Sequence, residues 1–206
     1  MGSWKDISAA VSGRTSVNLE HNKRLEESLA GGIVHGQAVE PVCSMRFGRN
    51  SMKHCGCEII AAYNIMLLTG RYMPLCEVIS EFEMNRLSYL FFTTFFGSDP
   101  KKLRRFFDAH GVEYDFFKDV QQFIEKAKNG GYAIVSFWVN SFSEHRFNRI
   151  GSGLHTVACS IDAKTGETAV FNRYNGDSEP RIYRSIDELL YDRKYIAGYY
   201  FAKQEL

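Results

Sequence analysis

Apolar residues recur with a helical period from Cys57 onward, where Ile59, Ile60, Tyr63, Met66 and Leu67 form one stripe that Gly70 closes. Ala61 and Ala62 offer a second side for close packing. Upstream, the pattern predicts a loose polar arm over 1–16. A helix over 18–30 follows, capped by Asn18, with Leu25 and Leu29 on one face and Gly31-Gly32 as its stop. Residues 33–53, with Gly36, Pro41 and Gly48, read as an irregular, mostly extended approach. Pro74 opens a further helix through 83. The aromatic run 87–96 fits a short buried helix or a strand. Ser98-Asp99-Pro100 starts a helix that turns Leu103, Phe106 and Phe107 inward and stops at His110-Gly111.

The second half changes period. Strands are predicted over 112–116, 132–139, 154–161, 167–173, 181–183 and 195–202, each β-branched or aromatic and bounded by turn residues. A helix over 120–128 precedes Gly130-Gly131, and Ser185 caps a short one through 191. Ala163-Lys164-Thr165-Gly166 is a hairpin connection and Asn175-Gly176-Asp177 the next turn. The polar stretch 141–151, with His145, Arg146 and Arg149, is long for a hairpin and is a candidate substrate loop. Helices first and antiparallel strands later predict an α+β domain, not a doubly wound sheet.

Composition narrows the class. The chain has 206 residues, fitting one domain, and is 45% hydrophobic, enough for a sizeable core. Its 25 basic and 24 acidic side chains leave a net charge of +1, with no electrostatic footprint for nucleic acid. The basic run Lys101, Lys102, Arg104 and Arg105 lies opposite Leu103, Phe106 and Phe107, as a solvated helix face does. No uncharged run reaches a membrane span, and the first residues lack an apolar signal core. Five cysteines (Cys43, Cys55, Cys57, Cys76 and Cys159), an odd number, lead us to expect reduced thiols and a cytoplasmic setting. The oligomeric state is not legible.

The chemistry concentrates at His54-Cys55-Gly56-Cys57-Glu58. A thiol where a turn feeds a helix meets unpaired N–H groups and the positive end of the helix dipole, which favour the nucleophilic thiolate. Cys57 abuts the helix and is the expected nucleophile; Cys55, in the preceding turn, is the alternative. Such a thiol needs a base and a group that holds the base. His155, near the start of a strand, is the candidate base, and an imidazolium beside the sulfur would lower the thiol pKa. Asn172, on the next strand, is the candidate orienting group if the connecting loop is even; an odd loop favours Arg173 or Asn175. The Cys/His cluster also invites zinc, but no second ligand pair accompanies it, and Cys43, His35 or His145 would have to complete the site. No metal and no cofactor is expected.

The stretches Cys57-Glu58-Ile59-Ile60-Ala61-Ala62-Tyr63-Asn64, Gly153-Leu154-His155-Thr156-Val157 and Val170-Phe171-Asn172, in that order and spacing, resemble the papain-like cysteine peptidases. The chain is most similar to their compact bacterial branch, related to bacteriocin-processing double-glycine peptidases, over roughly residues 50–201. The resemblance implies a peptidase-like domain over 36–206 behind an N-terminal extension, 1–35, with one helix. It implies cleavage of a peptide or amide bond through an acyl-enzyme on Cys57, with an oxyanion held by the Cys57 N–H and by Asn50. The chain departs from the family at Ser51, where a glutamine is usual, and lacks the Cys-Gly-Pro signature. Acyl transfer to an amine, which related domains perform, and a binding domain without activity both stay open. Leu29-Ala30-Gly31-Gly32 is read as a helix stop, not as a double-glycine leader.

Overall fold

This computed structural model describes the backbone of residues 4–29, 31–85, 88–90, 93–139 and 153–203, and side chains from residue 13 onward except 86–98 and the remaining gaps. The chain begins with α1 (Trp4–Glu26). A 3-10 turn at Val42–Ser44 and a small hairpin, β1 (Arg46–Phe47) and β2 (Asn50–Ser51), follow. Then come α2 (Met52–Cys55), α3 (Cys57–Leu68) and α4 (Leu75–Met84). A second hairpin, β3 (Ser88–Leu90) and β4 (Thr93–Ser98), leads to α5 (Leu103–Ala109) and β5 (Asp115–Phe117). The remainder is α6 (Val120–Ala127), β6 (Gly131–Trp138), β7 (Leu154–Ile161), β8 (Thr168–Phe171), β9 (Arg181–Tyr183), α7 (Ile186–Leu190) and β10 (Lys194–Phe201).

The architecture is mixed α+β. A six-stranded sheet runs in the order β5-β10-β6-β7-β8-β9, antiparallel throughout. Alternation along β6 and β7 splits the core. Ile134, Ala158, Phe171, Tyr199 and Phe201 pack with α3, α4 and α5 on one face. Val135, Phe137, Val157, Cys159 and Val170 pack with α6 and α7 on the other.

Local chemistry explains most boundaries. Asp99 accepts from the Lys101 N–H at 3.0 Å, and Asp119 from that of Gln122 at 2.9 Å. The Ser185 hydroxyl takes the Glu188 N–H, so each cap satisfies a helix-start donor. The aromatic run 87–96 resolves as strands, not a helix, within its described part. The stretch 141–151 lies outside the described residues. In α3, every residue from Cys57 to Met66 is buried, so this is a core helix apolar nearly all round, not a one-sided stripe.

The N-terminal arm departs from expectation. In place of loose chain before residue 18, α1 runs from Trp4 and ends at Glu26, short of Ala30. Its inward seam is polar. Asn18 donates to Gly48 O (2.9 Å) and to Glu83 Oε1 (2.7 Å). Asn22 brackets the Arg46 main chain, donating to its carbonyl and accepting from its N–H at 2.9 and 2.8 Å. The Glu26 carboxylate accepts from the Leu75 and Cys76 N–H groups at 2.5 and 2.6 Å, capping α4 from outside. An i, i+4, i+8 seam of polar residues carries no apolar period, so hydrophobic patterning does not see it.

Candidate active site at the Cys57 turn

Two short helical pieces meet at Gly56, which ends α2 and precedes α3. A Cβ at Gly56 would stand 2.6 Å from Met52 O and 2.8 Å from Met52 Cε, so only glycine lets the two pieces abut. That junction aims Cys57 at the sheet. Its Sγ accepts main-chain N–H groups from Thr156, on β7, and from Glu58, in its own helix turn. Thr156 lies beyond the stretch of β7 that β8 covers, because pairing ends at Ala158 with Phe171. Nearby, the Ser136 and Thr156 hydroxyls share a buried 2.8 Å hydrogen bond. On the same face, Trp138, paired with Leu154 and 39% exposed, forms an apolar shoulder.

His155 precedes Thr156. It pairs across the sheet with Phe137, their rings 6.1 Å apart, so its ring rises from the face opposite α3. Sulfur and imidazole thus approach one level of β7 from its two sides. Among the described residues no hydrogen bond joins them. The ring's Nε2 lies 2.7 Å from the main-chain oxygen of Asn172 and donates to it. This assigns the proton to Nε2 and leaves Nδ1, the nitrogen nearer the main chain, as the ring's acceptor; the Arg173 main chain also bonds the ring.

The part played by Asn172 differs from the expected one. The loop between β7 and β8 is even (162–167), as the same-face expectation requires. The strand nevertheless stops at Phe171, because Asn172 adopts φ 57°, the left-handed conformation that asparagine tolerates better than most residues. Its carbonyl, not its amide, therefore meets His155. The amide turns away to Gln37: Oδ1 accepts the Gln37 N–H at 2.9 Å, and Nδ2 donates to Gln37 Oε1 at 3.1 Å. Gln37 Nε2 donates in turn to Lys53 O at 2.8 Å, in α2. Sequence reasoning passed over Gln37, which lies in a stretch read only as irregular.

Residues 33–38 form a strap over this network. Asn64, buried in α3, holds the Val34 N–H and carbonyl, both at 2.9 Å. The Ala38 N–H donates to Asn175 O at 2.7 Å. Gly36 makes the crossing possible, since a Cβ there would run into Asp177 O and stand 2.7 Å from Asn175 O. Both obstacles are main chain and cannot swing aside. Gly36→Ala is expected to cost about 2–3 kcal/mol through forced displacement of the strap. A urea unfolding midpoint unchanged from wild type would refute this.

The other predicted residues are dispersed. Cys55 ends α2, and its Sγ donates back to Ser51 O at 3.3 Å. Burial pushes its pKa up to about 12, with the Glu58 and Glu83 carboxylates adding to the effect. Asn50 sits in β2 opposite Phe47, in the strand that leads into α2. Arg173, 2% exposed, donates from Nε to the Tyr183 hydroxyl at 3.0 Å and stacks over Tyr174 and Phe137. Asn175 is exposed in the turn that follows. His35 packs its ring 5.7 Å from Phe171, and His54 is exposed. Among the described residues no three metal-ligating side chains gather, all five cysteines are free, and no helix is long and apolar enough to cross a membrane.

Electrostatics overturn one expectation. Burial, reinforced by the Glu58 carboxylate, drives the Cys57 thiol well above its usual range, against the pull of the two N–H groups. Burial pushes His155 down to about 4; the main-chain bond to Asn172 opposes this, and the Arg173 guanidinium adds to it. The resting pair is a neutral thiol and a neutral imidazole, not an ion pair, because desolvation outweighs the helix dipole here.

A groove of about 550 Å³ lies elsewhere, on the α6–α7 side of the sheet, lined by Lys118, Gln121, Ile124, Leu190, Tyr191 and Arg193 among others. It meets the His155 region through Arg193, which stacks 5.1 Å over Phe137, and through Tyr195, which pairs with Phe137 across the sheet. Comparison with known protein families, curated proteins and solved structures finds no match to this chain.

Proposed function

We propose that this chain is a thiol-dependent hydrolase with a papain-like fold, akin to the double-glycine peptidase branch, that cleaves a peptide or amide bond through an acyl-enzyme on Cys57. One observation carries this reading. The Thr156 N–H holds Sγ, and the adjoining His155 is fixed so that its unprotonated nitrogen is Nδ1. At rest the two lie on opposite faces of β7 with no hydrogen bond between them among the described residues, so this reading requires substrate binding to bring ring and sulfur to one side.

In the proposed reaction Sγ attacks the carbonyl carbon as its proton passes to Nδ1. The first-turn N–H groups of α3 face the developing oxyanion. The tetrahedral intermediate expels the amine, which takes the proton from Nδ1. Water then gives a proton to Nδ1 as its oxygen attacks the thioester, and the second intermediate expels Sγ, which takes that proton back, so that the acid leaves and the neutral thiol and imidazole are restored. The Asn172 carbonyl keeps Nε2–H in place and stabilises the imidazolium that forms transiently. Asn50, in β2 just before α2, is the second donor proposed for the oxyanion.

The burial of Cys57 and the upward shift of its thiol also support a second reading, a binding domain that keeps the fold without activity. Labelling with iodoacetamide and mass mapping from pH 3 to 9 separates the two. With the neutral pair acting as general base, Cys57 labelling is expected to hold a plateau at neutral pH. Below the His155 value of about 4 it should fall roughly tenfold per pH unit, and the plateau should vanish in His155→Gln. A rate that only climbs with pH through the ordinary thiol range, indifferent to His155, supports the binding domain.

A further inference from the structure

Gln37 is buried, and every polar group of its side chain is committed. Through Lys53 O it grips α2, which feeds Gly56 and Cys57. Through a two-point bond it grips Asn172, 135 residues away, whose carbonyl holds His155. The strap that carries it is pinned on one side by Asn64 to α3 and on the other by Ala38 to Asn175. The amide thus spans the turn bearing the thiol and the turn anchoring the base.

The geometry makes the Asn172 end sensitive. A left-handed residue persists only where its surroundings fix it, and rotating the Asn172 peptide plane would turn the carbonyl away from Nε2. Here Asn172 is gripped by two bonds to Gln37: its Oδ1 accepts the Gln37 main-chain N–H, and its Nδ2 donates to the Gln37 side-chain Oε1. The side chain must both accept and donate, which an amide does and a carboxylate or thioether does not. Asparagine is one methylene shorter.

We infer that Gln37 is a positioning residue for the proposed Cys57–His155 pair: its amide holds the Asn172 carbonyl, and with it the His155 ring, in register with the turn that delivers Cys57. This rests on the proposed function. It extends that function to a residue that touches neither sulfur nor imidazole.

The test uses the full chain and the variants Gln37→Met, Asn172→Gly and the two combined. Methionine fills the same space without the two side-chain bonds, leaving the main-chain N–H bond to Asn172 Oδ1, and glycine keeps the left-handed turn and its carbonyl while removing both bonds of the Asn172 amide. Three readouts are taken: the imidazole N–H signal and titration of His155 by nitrogen-resolved NMR, the iodoacetamide rate at Cys57, and the thermal midpoint. Wild type is expected to show a slowly exchanging Nε2–H and a titration near 4. Each single variant should lose that signal and titrate lower still, farther from the free-imidazole value, because the Asn172 carbonyl is what holds the pKa up against burial. Each should also label Cys57 slower on the order of tenfold. The double variant should be no worse than Asn172→Gly alone in the His155 signal, since that substitution already removes both bonds between the two residues.

A Gln37→Met protein with a lowered thermal midpoint but an unchanged His155 signal and labelling rate would overturn the inference and leave Gln37 a structural residue. If Gln37→Met does not fold, Asn172→Gly decides, because it cuts the same pair from the other end. Wild-type labelling that ignores His155→Gln would sink the hydrolase reading alone, and the imidazole signals would still report on Gln37.

Discussion

Cys57→Ala is expected to abolish acyl-enzyme formation, and His155→Ala to lower turnover about 10³-fold or more, both with the fold intact. Members of a nucleophile–base unit act together, so removing either forfeits nearly the whole chemical acceleration. The loss is large here because the resting thiol is neutral: burial raises Cys57, so without a base little thiolate forms near neutral pH. Cys57→Ala deletes only a sulfur from a helix whose burial rests on Ile59, Ile60, Tyr63 and Met66. Circular dichroism should show both variants folded. Cys55→Ser is the internal control. Its thiol is engaged by Ser51 O within α2, and activity within about twofold of wild type is expected, the range of a substitution away from the reacting atoms. Cleavage of a fluorogenic peptide library, or capture by an acylating probe followed by peptide mapping, provides the measurement. An active Cys57→Ala paired with a dead Cys55→Ser would move the nucleophile to Cys55 and undo the mechanism.

Asn64→Leu should destabilise the fold by about 3–5 kcal/mol, the largest stability effect expected of a conservative-volume change in α3. Asn64 is fully buried, and its amide serves the Val34 main chain as a neighbouring strand would, one bond to the N–H and one to the carbonyl. Leucine fills the space but leaves both Val34 groups without those partners. Each such group costs about 1–3 kcal/mol when desolvated and unpaired. The urea midpoint should fall with little change in slope, because the surface exposed on unfolding is nearly the same. Release of Val34 should also loosen the strap at Gly36 and Gln37, so labelling at Cys57 should slow in parallel. Stability within about 1 kcal/mol of wild type would mean that water or a relaxed strap takes over both bonds.

The elements most legible in the sequence are those whose cause is local. Pro74, Asp99 and Ser185 mark helix starts, and each stands at one in the structure. Gly70, Gly111 and Gly130 adopt positive φ at the stops their positions suggest. The alternation of β6 and β7 needs only period two. By contrast, polar residues 1–16 and a cap-like Asn18 suggest a helix start at 18, whereas α1 begins at Trp4 and the Asn18 amide, inside the helix, is spent on Gly48 O and Glu83.

Residue type and spacing alone therefore determined the α+β class, most element boundaries, and a thiol at the head of a core helix with a histidine at the head of a strand. Only the folded chain decided that the Asn172 carbonyl meets His155, that Gln37 bridges residues 53 and 172, and that Cys57 and His155 rest neutral. The physical reason is range. Caps, turns and periodicity act within one or two turns of chain, whereas desolvation and hydrogen bonds between residues 135 apart exist only once the sheet, α3 and the strap have packed together.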